Sequence, residues 1–469
     1  MHQIKTQLRH AFTLVEMLIA MALTLILVYA VAEFYAYVGT AVRDSRALIE
    51  MGSQLRSASQ QLHDDLNSLT LRPEPWIDSQ TSPGYFTVYE GQQCDAYPDW
   101  YVDATATDIL ADTDNDKVPD AIRNLNITTL IGDGDDMLAM TIRAKDVDFQ
   151  GQVWDSTRSQ YVSASSQYAE VIWYTTFDDL DSDGRWGINE PRYLCRRQLL
   201  ILPNYNLQLP AGVNLAQFFQ EAEVSFRVNS AGNPVANTLA DLSLRHNRYG
   251  CQLQNPPAYP SHMWINPTNA ASLARYSMGG TRLGEDRVLP NLLAFDVRVY
   301  DPTAPIHQDS SGAITALTPG DPGFGRNGST QVGVGAWVDL SYERMLSAGA
   351  GNSHFSELPP APFNLPAPTR ANAASQPYNF NHWDTWSQNY EMPNLRLGAS
   401  FNGTGFLGNG QAFDGQDNNN QYGVDDPTER RTQPPYSAPL RGVQVRLRIY
   451  EPQTRQARQV TVGADFVAE

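Results

Sequence analysis

The chain is short of the residues from which metal centres, disulfide frameworks and nucleophilic sites are usually built. Three cysteines, Cys94, Cys195 and Cys251, stand in 469 residues, too few for a disulfide scaffold. If the body is exported, one bridge is feasible and one thiol is left over. All three pairings stay open, and burial as small apolar side chains is the competing use. The eight histidines, at 2, 10, 63, 246, 262, 307, 354 and 382, follow no ligand spacing. H-E-x-x-H, G-x-S-x-G, G-x-x-x-x-G-K-[ST] and C-x-x-C do not occur, so the chain reads as non-enzymatic. Positive charge is scarce too: 33 Lys and Arg against 51 Asp and Glu give a net charge of −18. A phosphate-backbone binder needs a basic footprint, so no nucleic-acid partner is expected. That balance suits an exported protein, or one that loads cations. A bilayer-length apolar run occurs once, at the start.

That run is MHQIKTQLRHAFTLVEMLIAMALTLILVYAVAEF. Residues 1–11 are polar and carry Lys5 and Arg9, which favour a cytoplasmic N-terminus. From Phe12 to Ala32 only Glu16 and Thr24 interrupt the apolar residues, and about twenty helical residues span a bilayer. One reading is a secretory signal cut at Ala30-Val31-Ala32 before Glu33. Against it, Glu16 would lie within the apolar core of that signal. The helical pattern also continues: Leu48, Met51, Leu55, Ala58, Leu62, Leu66 and Leu69 form an amphipathic stripe. Helix is predicted from Phe12 to Leu71, stopped by Arg72-Pro73-Glu74-Pro75.

Ala11-Phe12-Thr13-Leu14-Val15-Glu16 resembles the class III signal of type IV pilins and type II secretion pseudopilins. The resemblance implies cleavage between Ala11 and Phe12 by prepilin peptidase, then N-methylation of Phe12. Where the family usually has glycine before the cut, this chain has Ala11. Glu16 is the family's registration carboxylate, met in the fibre by the amine of a neighbouring subunit's Phe12. Such a pair sets stagger more than it adds net stability.

After Pro73 the chain changes to short alternating stretches between Gly, Pro, Asn and Asp clusters, the pattern of antiparallel strands. In RGVQVRLRIYEP, Val443, Val445, Leu447 and Ile449 face one way, and Arg455 to Val462 returns as a hairpin. LLAFDVRVYDP puts Leu293, Phe295, Val297 and Val299 on one face. Further strands are expected at Tyr85–Glu90, Met137–Arg143, Tyr168–Phe177, Tyr193–Leu202 and Val334–Tyr342. The fold class is therefore α+β: a long N-terminal transmembrane and amphipathic helix, then an elaborated antiparallel β-rich head. The expected divisions are a leader (1–11), a membrane half of the helix (12–32) and an amphipathic half (33–72). A β-rich head (73–302), a loop-rich insertion (303–440) and a C-terminal hairpin (441–469) follow. Size and strand endings look most like the minor pseudopilin J of type II secretion or the large minor pilins of type IV pili.

Three acidic loops are candidate Ca²⁺ ligands. In DDLDSDGRWGINE, Asp179, Asp181, Asp183, Arg185 (through its carbonyl) and Glu190 occupy positions 1, 3, 5, 7 and 12 of an EF-hand-type loop, with Gly184 at the turn. Hard oxygen donors of this kind suit Ca²⁺ over transition metals. Asp112, Asp114, Asp116 and Asp120 repeat the spacing with Lys117 in place of the glycine. Asp417, Asn419, Gln421 and Asp425 keep the spacing with less charge. Asp133, Asp135 and Asp136 in IGDGDD read as a turn.

The resemblance implies a structural subunit, single-pass in the inner membrane with its head outside the cytoplasm. Its partners would be membrane lipid, other major and minor pilins or pseudopilins, and prepilin peptidase. A tip adhesin binding through the 303–440 insertion and a membrane-anchored, calcium-stabilised hydrolase are the alternatives.

Overall fold

The computed structural model describes residues 13–74, 83–90, 132–180, 182, 186, 190–229, 232–243, 247–249, 277–308, 316–319, 321, 324, 330–340, 382–385, 439–452, 454 and 456–466. The chain divides into two compact units, Met1–Ser53 with Glu451–Gln456, and Gln54–Tyr450 with Ala457–Glu469. A long helix followed by a β-rich antiparallel head is what is found.

Helix α1 runs Leu14–Leu66, 53 residues, or about 80 Å at 1.5 Å per residue. In the second unit its stretch from Gln54 buries Leu55, Ala58, Leu62 and Leu66, the stripe that the three- and four-residue spacing predicts. Each fully buried leucine contributes about 2 kcal/mol. The helix stops five residues before the expected Leu71, ahead of the prolines. Tertiary pairing ends it: Leu69 bridges Ile142, the Thr70 N–H donates to the Thr141 carbonyl at 3.0 Å and the Arg143 N–H to the Ser68 carbonyl at 2.8 Å. The His63 carbonyl accepts both the Asn67 N–H at 3.0 Å and Asn67 Nδ2 at 2.9 Å.

The head's larger sheet has six antiparallel strands. In chain order they are β1 (Phe86–Tyr89), β2 (Met137–Arg143), β5 (Tyr168–Phe177), β6 (Arg192–Leu200), β9 (Arg287–Leu289) and β13 (His382–Asp384). Their spatial order is β13-β1-β2-β5-β6-β9. The hairpin of β3 (Phe149–Asp155) and β4 (Gln160–Ser166) lies between β2 and β5 in sequence. Strand β5 is buried along nearly its whole length because the sheet is covered on both faces. On one face Trp173 Nε1 donates to Asp65 Oδ2 of α1 at 2.8 Å. The guanidinium of Arg196 grips the same carboxylate through Nε at 2.8 Å and Nη2 at 2.9 Å. On the other face Ile172, Tyr174 and Cys195 join one core with Phe218 and Phe219 of α2 (Leu215–Glu221) and with Phe226 of β7 (Phe226–Val228), which pairs with β8 (Pro234–Ala236). Helix α2 is short, and a reciprocal box between Asn214 and Gln217 caps its first turn. Cys195 is a free, buried thiol; Cys94 and Cys251 lie outside the described residues.

A second sheet has β10 (Leu292–Gln308) paired with β11 (Ala316–Leu317), β12 (Thr330–Val338) and β14 (Gly442–Glu451), with β15 (Gln456–Asp465) beyond β14. Val443, Val445, Leu447 and Ile449 are buried as the alternation predicts. On β10 the expected face is corrected at its start. A bulge between Leu292 and Ala294 buries Leu292 and leaves Leu293 half-buried, because one extra residue shifts the alternation.

The stretch 303–440, expected as loop-rich with one strand at Val334–Tyr342, contributes further strands. β10 continues past Pro302 to Gln308, with a break in its ladder to β12 between Asp301 and Pro305. Prolines lack the ladder N–H, so the strand is interrupted there and then resumes. β12 starts four residues before the expected Val334 and ends at Val338, where Asp339 turns to Arg298 at 3.3 Å. His382–Asp384 forms the edge strand β13, seated by fully buried Trp383 and by an Arg248–Asp384 ion pair at 2.8 Å.

Asp65 has both its partners on the sheet and is itself buried, so removing it strands the Arg196 charge. Asp65→Ala is expected to lower unfolding stability by about 3–5 kcal/mol, seen as a lower thermal midpoint. Asp65→Asn, which keeps an acceptor for Trp173, should lose less.

Candidate functional site

The first turn of α1 is built from four residues, Thr13-Leu14-Val15-Glu16. Thr13 precedes the helix and Glu16 is its third residue. The Thr13 N–H donates to Glu16 Oε2 at 2.9 Å, and the Thr13 hydroxyl to the same oxygen at 3.0 Å. In return the Glu16 N–H donates to Thr13 Oγ1 at 3.2 Å. This is a reciprocal capping box that satisfies two amides at a helix start. The sequence reading assigned Glu16 to a neighbouring subunit alone and missed this use, although T-x-x-E is the local signature of such a box.

Beyond the cap the helix presents hydrocarbon in every direction. Leu14, Val15, Met17, Leu18, Ile19, Met21, Leu23, Leu25, Ile26, Leu27 and Val28 are all more than half exposed. α1 is the one described helix long and apolar enough to cross a membrane, with mean hydropathy 2.5 over its best window and none of that window buried. Thr24 hides its hydroxyl on the Ala20 carbonyl at 2.7 Å, which leaves Glu16 the only charged side chain between Thr13 and Ala32. Ala30-Val31-Ala32, the alternative cleavage motif, lies inside the continuous helix. Ala11 and Phe12, the expected cleavage and methylation positions, lie outside the described residues.

Of the best calcium loop, Asp179 and Glu190 are described; Asp181, Asp183 and Arg185 are not. Glu190 is buried, and its Oε1 accepts the Leu180 N–H at 2.6 Å. Position 12 thus folds back over position 2. Trp186 Nε1 donates to the Glu190 carbonyl at 3.0 Å, holding the returning strand. The strands flanking the loop, β5 and β6, are paired from Phe177 and Arg192 onward, so the loop tips a hairpin. The loops at Asp112–Asp120 and Asp417–Asp425 lie outside the described residues. The stretch holding Asp133, Asp135 and Asp136 is not the solvated turn the sequence suggests: all three side chains are buried, because the main chain from residue 132 runs beside β10.

Residues 7–31 match the family model described as the prokaryotic N-terminal methylation motif. No curated protein and no solved structure matches the chain. The motif on this apolar helix supports a prepilin-peptidase substrate of the type IV pilin and pseudopilin kind. It points to a structural subunit that assembles with other pilins, and it is consistent with a membrane-anchored N-terminus.

The cap is testable by hydrogen exchange in detergent. Thr13→Val removes the hydroxyl at nearly constant shape and should speed exchange at the Glu16 amide several-fold, whereas Thr13→Ser should keep it slow. Equal exchange in all three proteins would show that the box does not hold the first turn.

Proposed function

We propose that this chain is a minor pilin or pseudopilin, a non-enzymatic subunit that primes or caps a type II secretion pseudopilus or a type IV pilus. The observation that carries the reading is the methylation motif over residues 7–31 continuing, without a break in the helix, into the segment that packs in the head. A removable signal has no use for that continuity. In this reading prepilin peptidase cuts before Phe12, and the new amine is methylated. The membrane half of α1 then leaves lipid for a fibre of neighbouring helices.

Glu16 has two successive duties here. In the membrane its carboxylate is held by Thr13 of its own chain, which offsets part of the cost of a charge in hydrocarbon. In the fibre it meets the positive amine of a neighbour's Phe12, and the pair sets the axial stagger. The large head, with its second sheet and the edge strand supplied from 382–384, suits a subunit placed once per fibre better than one repeated along it. The Asp179–Glu190 loop is proposed to hold Ca²⁺ through Asp179, Asp181, Asp183, the Arg185 carbonyl and Glu190, as a clip on the β5–β6 hairpin.

Two substitutions separate the duties. Glu16→Gln keeps an acceptor for the Thr13 cap and loses the charge; Glu16→Ala loses both. Both variants are expected to insert in the membrane. Both should be depleted at least tenfold from sheared fibres or from crosslinked complexes with other pilins. Wild-type incorporation of Glu16→Gln would refute the charge pairing.

A further inference from the structure

Where the two sheets of the head meet, the chain collects buried carboxylates. Glu90 follows β1, and Asp133 and Asp136 lie in the run that leads into β2. That run pairs with the second sheet: the Gly132 N–H donates to the Leu293 carbonyl at 3.1 Å, and the Phe295 N–H to the Asp133 carbonyl at 2.8 Å. One carboxylate oxygen from each of Glu90, Asp133 and Asp136 lies within 4.8 Å of the others. The three side chains are 0%, 0% and 1% exposed.

Main-chain amides occupy one side of this cluster. The Leu340 N–H donates to Glu90 Oε2 at 3.1 Å, the Asp135 N–H to Asp133 Oδ1 at 3.3 Å and the Val297 N–H to Asp136 Oδ2 at 2.6 Å. Glu90 Oε1 and Asp133 Oδ2 are buried and accept no hydrogen bond. A buried carboxylate oxygen without a donor is strongly unfavourable unless something positive meets it. Of the nearby guanidinium groups, two face other carboxylates. Arg298 faces Asp296 at 3.0 Å and Asp339 at 3.3 Å, and Arg446 faces Asp296 at 3.7 Å. The Arg192 guanidinium lies against Gly134, where a side chain would collide with it. Burial, followed by the neighbouring carboxylates, drives Glu90 and Asp133 well above the usual carboxylate range.

We propose that Glu90, Asp133 and Asp136 form a Ca²⁺ site that clips the two sheets of the head together. Every donor is a hard oxygen, which suits Ca²⁺ and disfavours Zn²⁺, a metal that prefers nitrogen and sulfur. Three oxygens within 4.8 Å of one another can all reach one Ca²⁺ at about 2.4 Å each. Mg²⁺ demands a tighter octahedron at about 2.1 Å and keeps several waters. The site is separate from the loops at 112–120, 179–190 and 417–425 and shares no residue with them. It fastens elements far apart in sequence: Asp136 already holds Val297 of β10, and Glu90 holds the residue after Asp339.

The full chain in detergent, stripped with a chelator and dialysed against CaCl₂, provides the test. Glu90→Gln/Asp133→Asn is expected to bind one Ca²⁺ fewer than wild type. Hydrogen exchange on the wild-type chain needs no variant: Ca²⁺ should slow the amides of Asp135, Val297 and Leu340 at least tenfold over the chelated protein. If the double variant fails to fold, by loss of its circular dichroism, the wild-type exchange alone decides. Equal Ca²⁺ stoichiometry in a folded double variant, or amides indifferent to Ca²⁺, would overturn the site. Protection by MgCl₂ with none from CaCl₂ would overturn the choice of ion.

Discussion

A carboxylate on a helix surrounded by hydrocarbon needs a donor or a cation within reach. Glu16 is in that position: its neighbours along α1 are exposed apolar side chains, and its oxygen is held by the amide and hydroxyl of Thr13. That cap is local and neutral, so it can hold the carboxylate without discharging it. A positive amine on another chain is a stronger partner for the same oxygen in a medium of low dielectric. In the proposed function the exposure of the helix and the charge it carries are met together, by a neighbour that brings both apolar surface and an amine. Lipid answers the first half; a second pilin-like subunit answers both.

The head meets the same constraint more elaborately. Its buried charges come in matched sets: Asp65 with Arg196, Arg248 with Asp384, and Arg298 with Asp296 and Asp339. Buried Glu170, without an ion pair, is satisfied instead by the hydroxyls of Tyr85 and Ser225 and by the Tyr249 amide. Glu90 Oε1 and Asp133 Oδ2, by contrast, accept no hydrogen bond. The matched sets also locate the joints of the fold: helix to sheet at Asp65, edge strand to sheet at Asp384, and strand β12 to strand β10 at Asp339.

How much of this was legible in the sequence depended on how local each signal was. The N-terminal motif and the Leu55-Ala58-Leu62-Leu66 stripe are short-range patterns and read correctly. The strands Met137–Arg143 and Tyr168–Phe177 also matched their expected bounds, since each is a mainly apolar run bounded by acidic or polar residues. The helix end did not, because Ser68 and Thr70 are claimed by β2, some seventy residues away. Strand β13 is three residues long and owes its place to Trp383 and Arg248, so no periodicity could show it. The Pro302 stop failed because a strand can cross a proline where its ladder is already broken. The carboxylate cluster was hidden for a further reason: acidic residues read as solvated, and only the register beside β10 takes Asp133 and Asp136 out of water.

The mature N-terminus tests the account most directly. Mass spectrometry of the polypeptide recovered from cells with active prepilin peptidase should show a chain beginning at Phe12 with one methyl group on its amine. A chain beginning at Glu33 would mean that the helix is a discarded signal, and the account would fail with it.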